Sequence, residues 1–193
     1  MIRQGYGHGD GWSGKAYQDH NLIESRMQDA FQSNDWLPAG YIGDAGDFVT
    51  FSNRLVDSYQ HLTGSSLLPA GIAHADRARW MYQEAPFCVL AHSNAADPHF
   101  TYANRAAQTC FEYSWKEFMA LPSRLSAAAP DRETRQRLFD LIAREGFSTG
   151  YRGLRVARSG RQFWIEDGVV WRMIDSDGTV QGEAATFPRW QNV

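Results

Sequence analysis

Much of what usually betrays a protein's role is missing from this chain. It has two cysteines in 193 residues, Cys88 and Cys110, and both sit in apolar segments without a CxxC neighbour. A disulfide framework is excluded by count, and the pair reads as buried thiols in a reducing compartment. Neither charge dominates: 19 basic and 22 acidic side chains give a formal net charge of -3. No run of Lys or Arg stands out, so nucleic acid is not expected as a direct partner. No apolar run reaches the roughly 18–20 residues of a membrane span. The opening MIRQGYGHGDGWSG lacks the apolar centre of a signal peptide. A soluble cytoplasmic protein with no membrane partner is expected. The familiar catalytic signatures are also missing: there is no GxSxG, no HExxH and no phosphate-cradling glycine loop, and neither cysteine has an adjacent basic residue to activate it.

What is present is apolar and aromatic. With 43% hydrophobic and 13% aromatic residues, the chain can bury one good core with an extension, but hardly two domains. Residues 1–46 form the expected extension. Gly5, Gly7, Gly9, Gly11 and Gly14 make a first arm that cannot hold a helix or strand by itself. Leu22, Ile23, Arg26, Met27, Ala30 and Phe31 then fall on one face of a short amphipathic helix. Pro38, Gly40, Gly43 and Gly46 punctuate a loop. The domain proper is expected over 47–190.

Asp47 has the character of an N-cap, and Phe48, Phe51, Leu55, Tyr59 and Leu62 recur at helical spacing up to Gly64. A second helical stretch, Ala73 to Gln83, stops before Pro86. Phe87–His92 and Phe100–Ala103 read as strands joined through the Asp97-Pro98 turn. Asn104 caps a helix to Phe111, Ser114 and Glu117 have capping-box spacing, and a longer helix runs from Asp131 to Gly146. The remainder is strand, in three runs (Tyr151–Ala157, Gln162–Ile174, Val180–Phe187) separated by tight turns. Two strands, a group of helices and three antiparallel strands predict an α+β fold, a five-stranded sheet with helices on one face.

That order is the PAS order, and the segments YANRAA, LPSRLSA, WIEDGVVW and GEAATFPRW, within about Arg54 to Trp190, resemble the MEKHLA family. That PAS-like module is known as a free-standing bacterial protein and as the C-terminal part of plant class III homeodomain leucine-zipper regulators. The resemblance implies a sensory or interaction module that holds a small ligand, or another subunit, between sheet and helices. It also sets expectations for cofactors. Haem-binding PAS relatives ligate iron through a histidine on the long helix, and Asp131–Gly146 has none, so haem is not expected. Light-sensing flavin relatives use an Asn-Cys-Arg motif where this chain reads LPSRLSA. Ser123 takes the approximate place of the reactive cysteine, so no photo-adduct can form. Flavin held without an adduct is left open, with Trp164 or Trp171 to stack on it.

Strict alternation in Gln162–Ile174 puts Phe163, Ile165, Asp167, Val169, Trp171 and Met173 on one face. Asp167 is then an acid in an apolar row, which demands a partner such as Arg152, protonation, a ligand, or a pleat break at Gly168 that turns it to solvent. Glu166 and Glu183 alternate onto the face away from the core. His92, Asp97 and His99 are suitable donors for a divalent metal, although the turn chemistry of Asp97-Pro98 already explains that segment. The expected ligand-binding set is His92, Asn104, Arg152, Asp167 and Trp171.

Three roles compete. The first is a sensor that binds a small molecule and signals through a partner, and the second is a homodimerising module associating through its outer sheet face and its two N-terminal amphipathic helices. The third is an unusual isomerase, dehydratase or cyclase with acid–base chemistry from Asp167, Arg152, His92 and Tyr102.

Overall fold

The computed structural model describes residues 34–128, 132–175 and 177–193, without the side chains of 132–137 and 139. The glycine arm and the expected helix around Leu22–Phe31 lie outside these residues. The chain divides into two units, Met1–Trp36 and Leu37–Val193. Of the first, the description covers only the 3-10 turn Asn34–Trp36.

The second unit opens with helix α1, Ala45–Thr63, whose N-cap is Asp44 rather than Asp47: its carboxylate accepts the Gly46 N–H at 2.7 Å. Gly64 closes the helix in the left-handed conformation expected of a C-terminal glycine. A 3-10 turn, His74–Asp76, leads into α2, Arg77–Gln83. Strands β1 (Cys88–Ser93) and β2 (Phe100–Ala103) form the first hairpin. Helices α3 (Arg105–Phe111) and α4 (Trp115–Met119), a 3-10 turn (Ser123–Ser126) and α5 (Arg132–Glu145) follow. The capping box at Ser114 and Glu117 is formed in both directions. Strands β3 (Phe147–Val156), β4 (Gln162–Ile174) and β5 (Val180–Phe187) complete the antiparallel order β2-β1-β5-β4-β3.

A sixth strand, β6 (Arg189–Asn192), was not foreseen from the sequence. It pairs with Phe163–Glu166 of β4, beyond the stretch of β4 that β5 occupies. Pro188 separates β5 from β6, so a run that looks too short and polar for a strand is held by the long neighbour it lies against.

The register corrects the expected single row on β4. Tyr151 pairs with Gly168 but Gly153 pairs with Ile165, so β4 carries one extra residue between them. Asp167 is in this bulge, with φ +52°. An inserted residue inverts the alternation. Phe163 and Ile165 therefore share one face with Gly168 and Val170, while Val169, Trp171 and Met173 point to the other.

The two faces carry different loads. On the inner one, Cys88, Leu90, Phe163, Ile165 and Phe187 pack with Phe111 and Phe118 of α3 and α4. Across the outer one runs a row of cross-strand partners, Tyr102–Ala91–Ala184–Trp171, beneath α1. The Trp171 indole N–H donates to Ser58 Oγ at 3.1 Å and meets the Tyr59 ring edge-on, and Phe51 stacks on Tyr102 at 6.0 Å. The two alanines in mid-row leave room for α1, whose Leu55 and Val56 are buried. The helices after the first hairpin thus take one face and the N-terminal helix the other. The apolar stripe of α1, expected to be a dimer surface, is occupied by its own sheet.

Candidate functional site

Between the inner face and the layer formed by Ser123–Ala127 and α5 lies a cavity of about 90 Å³. Its floor is Leu90, Ile165, Val170, Ala185 and Phe187, and Phe100 and Leu138 close its sides. A few polar groups interrupt this apolar lining: His92, Ser123, Ser126, Tyr151, Arg155 and Glu183.

Local rules place each of them. His92 Nε2 stands 3.6 Å from a Glu183 carboxylate oxygen, because the β1–β5 register sets the two residues opposite each other. Glu183 is therefore on the inner face, two steps of alternation from Phe187 through Ala185, and not on the face away from the core. The turn carrying Ser123 is pinned by its own N–H to the Pro98 carbonyl at 2.8 Å and by Ser126 Oγ donating to the Ser123 carbonyl at 2.8 Å. The Ser123 hydroxyl itself is buried and meets no hydrogen-bond partner among the described residues. Arg155 reaches the cavity from β3, beside Ala127, with which it forms an isolated bridge. Its guanidinium donates to the Tyr151 hydroxyl at 2.8 Å and the Leu154 carbonyl at 3.0 Å.

Of the residues expected to bind a ligand, only His92 lines this cavity. Asp167 is exposed and paired with Arg189, a consequence of the bulge that turns it away from the inner face. Arg152 is exposed on the outer face, its guanidinium 3.8 Å from the centre of the Trp164 ring. Trp171 is sealed under α1. Tyr102 is fully buried on the same outer side, among Phe48, Phe51 and Trp115, and burial pushes its phenol pKa up.

Asn104 is wholly committed to the fold. Its Oδ1 accepts the N–H of Ala107 and of Val89, both at 3.0 Å, and its Nδ2 donates to the carbonyls of Phe87 at 2.8 Å and Met81 at 3.3 Å. One side chain thus caps α3, extends β1 and ties down the end of α2.

The four groups proposed for acid–base chemistry are therefore spread over both faces and the rim. The metal candidates have other partners. Asp97 is held by Arg124 at 3.0 Å, an interaction that depresses its pKa, and His99 Nδ1 lies 3.1 Å from the Asp97 carbonyl oxygen. No group of three potential metal ligands occurs among the described residues. Cys88 and Cys110 are free and buried, with the Cys88 thiol pushed up by its hydrogen bond to Cys110 and then by burial. No described helix is long and apolar enough to cross a membrane.

Sequence reasoning missed Arg155, Tyr151 and Glu183. Tyr151 and Arg155 do alternate with Gly153 on β3, but only the pairing of Arg155 with Phe163 shows that this is the inner face.

The MEKHLA domain family model matches residues 49–192. Two rice proteins, both called homeobox-leucine zipper protein HOX32, from Oryza sativa subsp. japonica and subsp. indica, are each 29% identical over 150 residues. The alignments cover 75% of this chain and 17% of theirs, so the chain spans about a sixth of the length of these relatives. The PAS domain of a protein from Colwellia psychrerythraea superposes with a TM-score of 0.52 at 14% identity, over 61% of this chain and 94% of that one. An RNA-binding light-oxygen-voltage receptor gives a TM-score of 0.52 at 21% identity, over 67% and 35%. At such identities the likeness is one of fold.

Proposed function

We propose that this chain, which belongs to the MEKHLA domain family, is a PAS-type sensory module. A small molecule occupies the cavity between the inner sheet face and the helical layer, and a partner protein reads the resulting shift in packing. The observation that carries this reading is the cavity itself. It is apolar with a few convergent polar groups, the usual make-up of a small-molecule site, and it lies beside the layer formed by Ser123–Ala127 and α5. Occupancy would press on Leu138 of α5 and on the short Ala127–Arg155 bridge, linking the ligand to the position of a helix.

The ligand is smaller than a flavin. Pockets for drug-sized ligands run to about 300–1,000 Å³, whereas this cavity has about 90 Å³. Trp171, one expected stacking partner, is on the other face of the sheet, and Trp164 does not line the cavity.

Native mass spectrometry of freshly purified protein, compared with its denatured mass, tests the proposal and reports subunit number at the same time. Excess mass that is lost on denaturation is expected. A clean apo mass, with no stabilisation by any member of a small-metabolite panel, would refute the reading.

A further inference from the structure

We infer that the ligand is a short-chain carboxylate whose anionic end is held by Arg155 and Ser123, an assignment that rests on the ligand-binding reading above. Three features of the cavity converge on it. The Ser123 hydroxyl is buried against the cavity with no partner among the described residues. A buried hydroxyl left unpaired is costly and rare. Its natural complement is a hydrogen-bonding atom of whatever fills the space.

Arg155 supplies charge of the right sign. Its described hydrogen bonds run to a carbonyl and a phenol hydroxyl, none to a carboxylate. A guanidinium has five donors in a planar fork that matches a carboxylate, and Arg155 uses two nitrogens for one bond each, which leaves donors free to turn toward the cavity. Arg161 and Arg124, by contrast, are spent on acids, the first on Glu112 and the second on Asp97. Ser123 and Arg155 are also neighbours through the chain: the turn that begins at Ser123 ends at Ala127, which bridges to Arg155.

Size and polarity limit the rest of the ligand. The cavity holds about 90 Å³, well below the about 300–1,000 Å³ of sites for drug-sized ligands, so the body is a few carbon atoms. Leu90, Phe100, Ile165, Val170 and Phe187 require that body to be apolar. The titratable groups on the lining are His92 and Glu183 at the β1–β5 side and Tyr151 and Arg155 from β3. Glu183 repels an anion and His92 faces it at 3.6 Å, so the carboxylate is directed to the Arg155 side and the alkyl end toward the His92–Glu183 pair.

The test uses sodium propionate and its neutral isostere propionamide, titrated into 15N-labelled protein, with xenon as an apolar probe of the same cavity. Propionate is expected to shift the amides of Ser123–Ala127 and Arg155 saturably, and propionamide to bind at least tenfold more weakly. Arg155→Gln should weaken propionate at least tenfold while leaving xenon binding intact. Ser123→Ala, which removes a hydroxyl with no hydrogen-bond partner among the described residues, should weaken propionate several-fold without loss of folding. Equal binding of propionate and propionamide, or an unchanged propionate affinity in folded Arg155→Gln, overturns the assignment. Xenon binding without propionate binding overturns the carboxylate and leaves the ligand-binding reading standing. If neither probe enters, both fall.

Discussion

Replacing Asn104 by alanine should cost this protein about 3–5 kcal/mol, by the following reckoning from general values for buried groups. The side chain makes four hydrogen bonds, all to backbone groups of three different elements. Loss of the cap on Ala107 alone is worth about 1 kcal/mol. The Val89 N–H is then left buried without a partner, at about 1–3 kcal/mol, and the Met81 and Phe87 carbonyls lose their donor for a smaller sum. Against a typical total of about 5–15 kcal/mol, this is a large fraction. Urea unfolding followed by tryptophan fluorescence measures it. Asn104→Ser restores the cap but not the reach to β1 or α2, so it should recover about 1 kcal/mol. A loss below about 1 kcal/mol in Asn104→Ala, with an unchanged urea dependence, would refute the picture of Asn104 as a three-way tie.

Gly182→Ala should prevent β1 and β5 from pairing, because a Cβ there would run into the His92 carbonyl and φ is +156°; insoluble protein or a sharply lower melting temperature is expected, and a normal melting curve would be inconsistent with the register. Asp167→Gly should be neutral or mildly stabilising in thermal unfolding, since it relieves φ +52° and gives up an exposed ion pair with Arg189 worth about 0–1 kcal/mol. Glu112 is held down to about 2 by the Ser159 hydrogen bonds and then Arg161. A carboxyl depressed in the fold stabilises fully above its unfolded value, and that contribution fades as pH falls from about 4.5 towards 2. Glu112→Gln should therefore flatten the acid limb of the stability profile in that window, measured by urea titrations at successive pH values; an identical limb would show that the interaction does not form. Phe51→Glu should destabilise the domain by setting a charge against Tyr102, read as a lower urea midpoint.

The order of elements was legible because it is written in local chemistry. Glycine ends α1, a serine and a glutamate three apart start α4, and alternation bounded by turn residues marks β4 and β5 to the residue. Those signals act within a few positions of the chain, so composition and spacing suffice to read them.

The site was not legible, since it depends on which face each side chain takes. A single extra residue at Asp167 inverts the alternation of β4, separates Trp171 from Phe163, and turns the most conspicuous acid of the strand out to Arg189. Asn104 has the same character: its cap on α3 is local and could be foreseen, while its bonds to Met81, Phe87 and Val89 exist only because three elements meet there. Among the described residues, the sequence by itself determined the helices after Asp44 and the order of the first five strands, through propensities and caps that each residue carries with it. Only the tertiary structure decided that His92, Glu183, Ser123 and Arg155 share one cavity, because a bulge and a strand register are settled by pairing between distant segments and not by any residue alone.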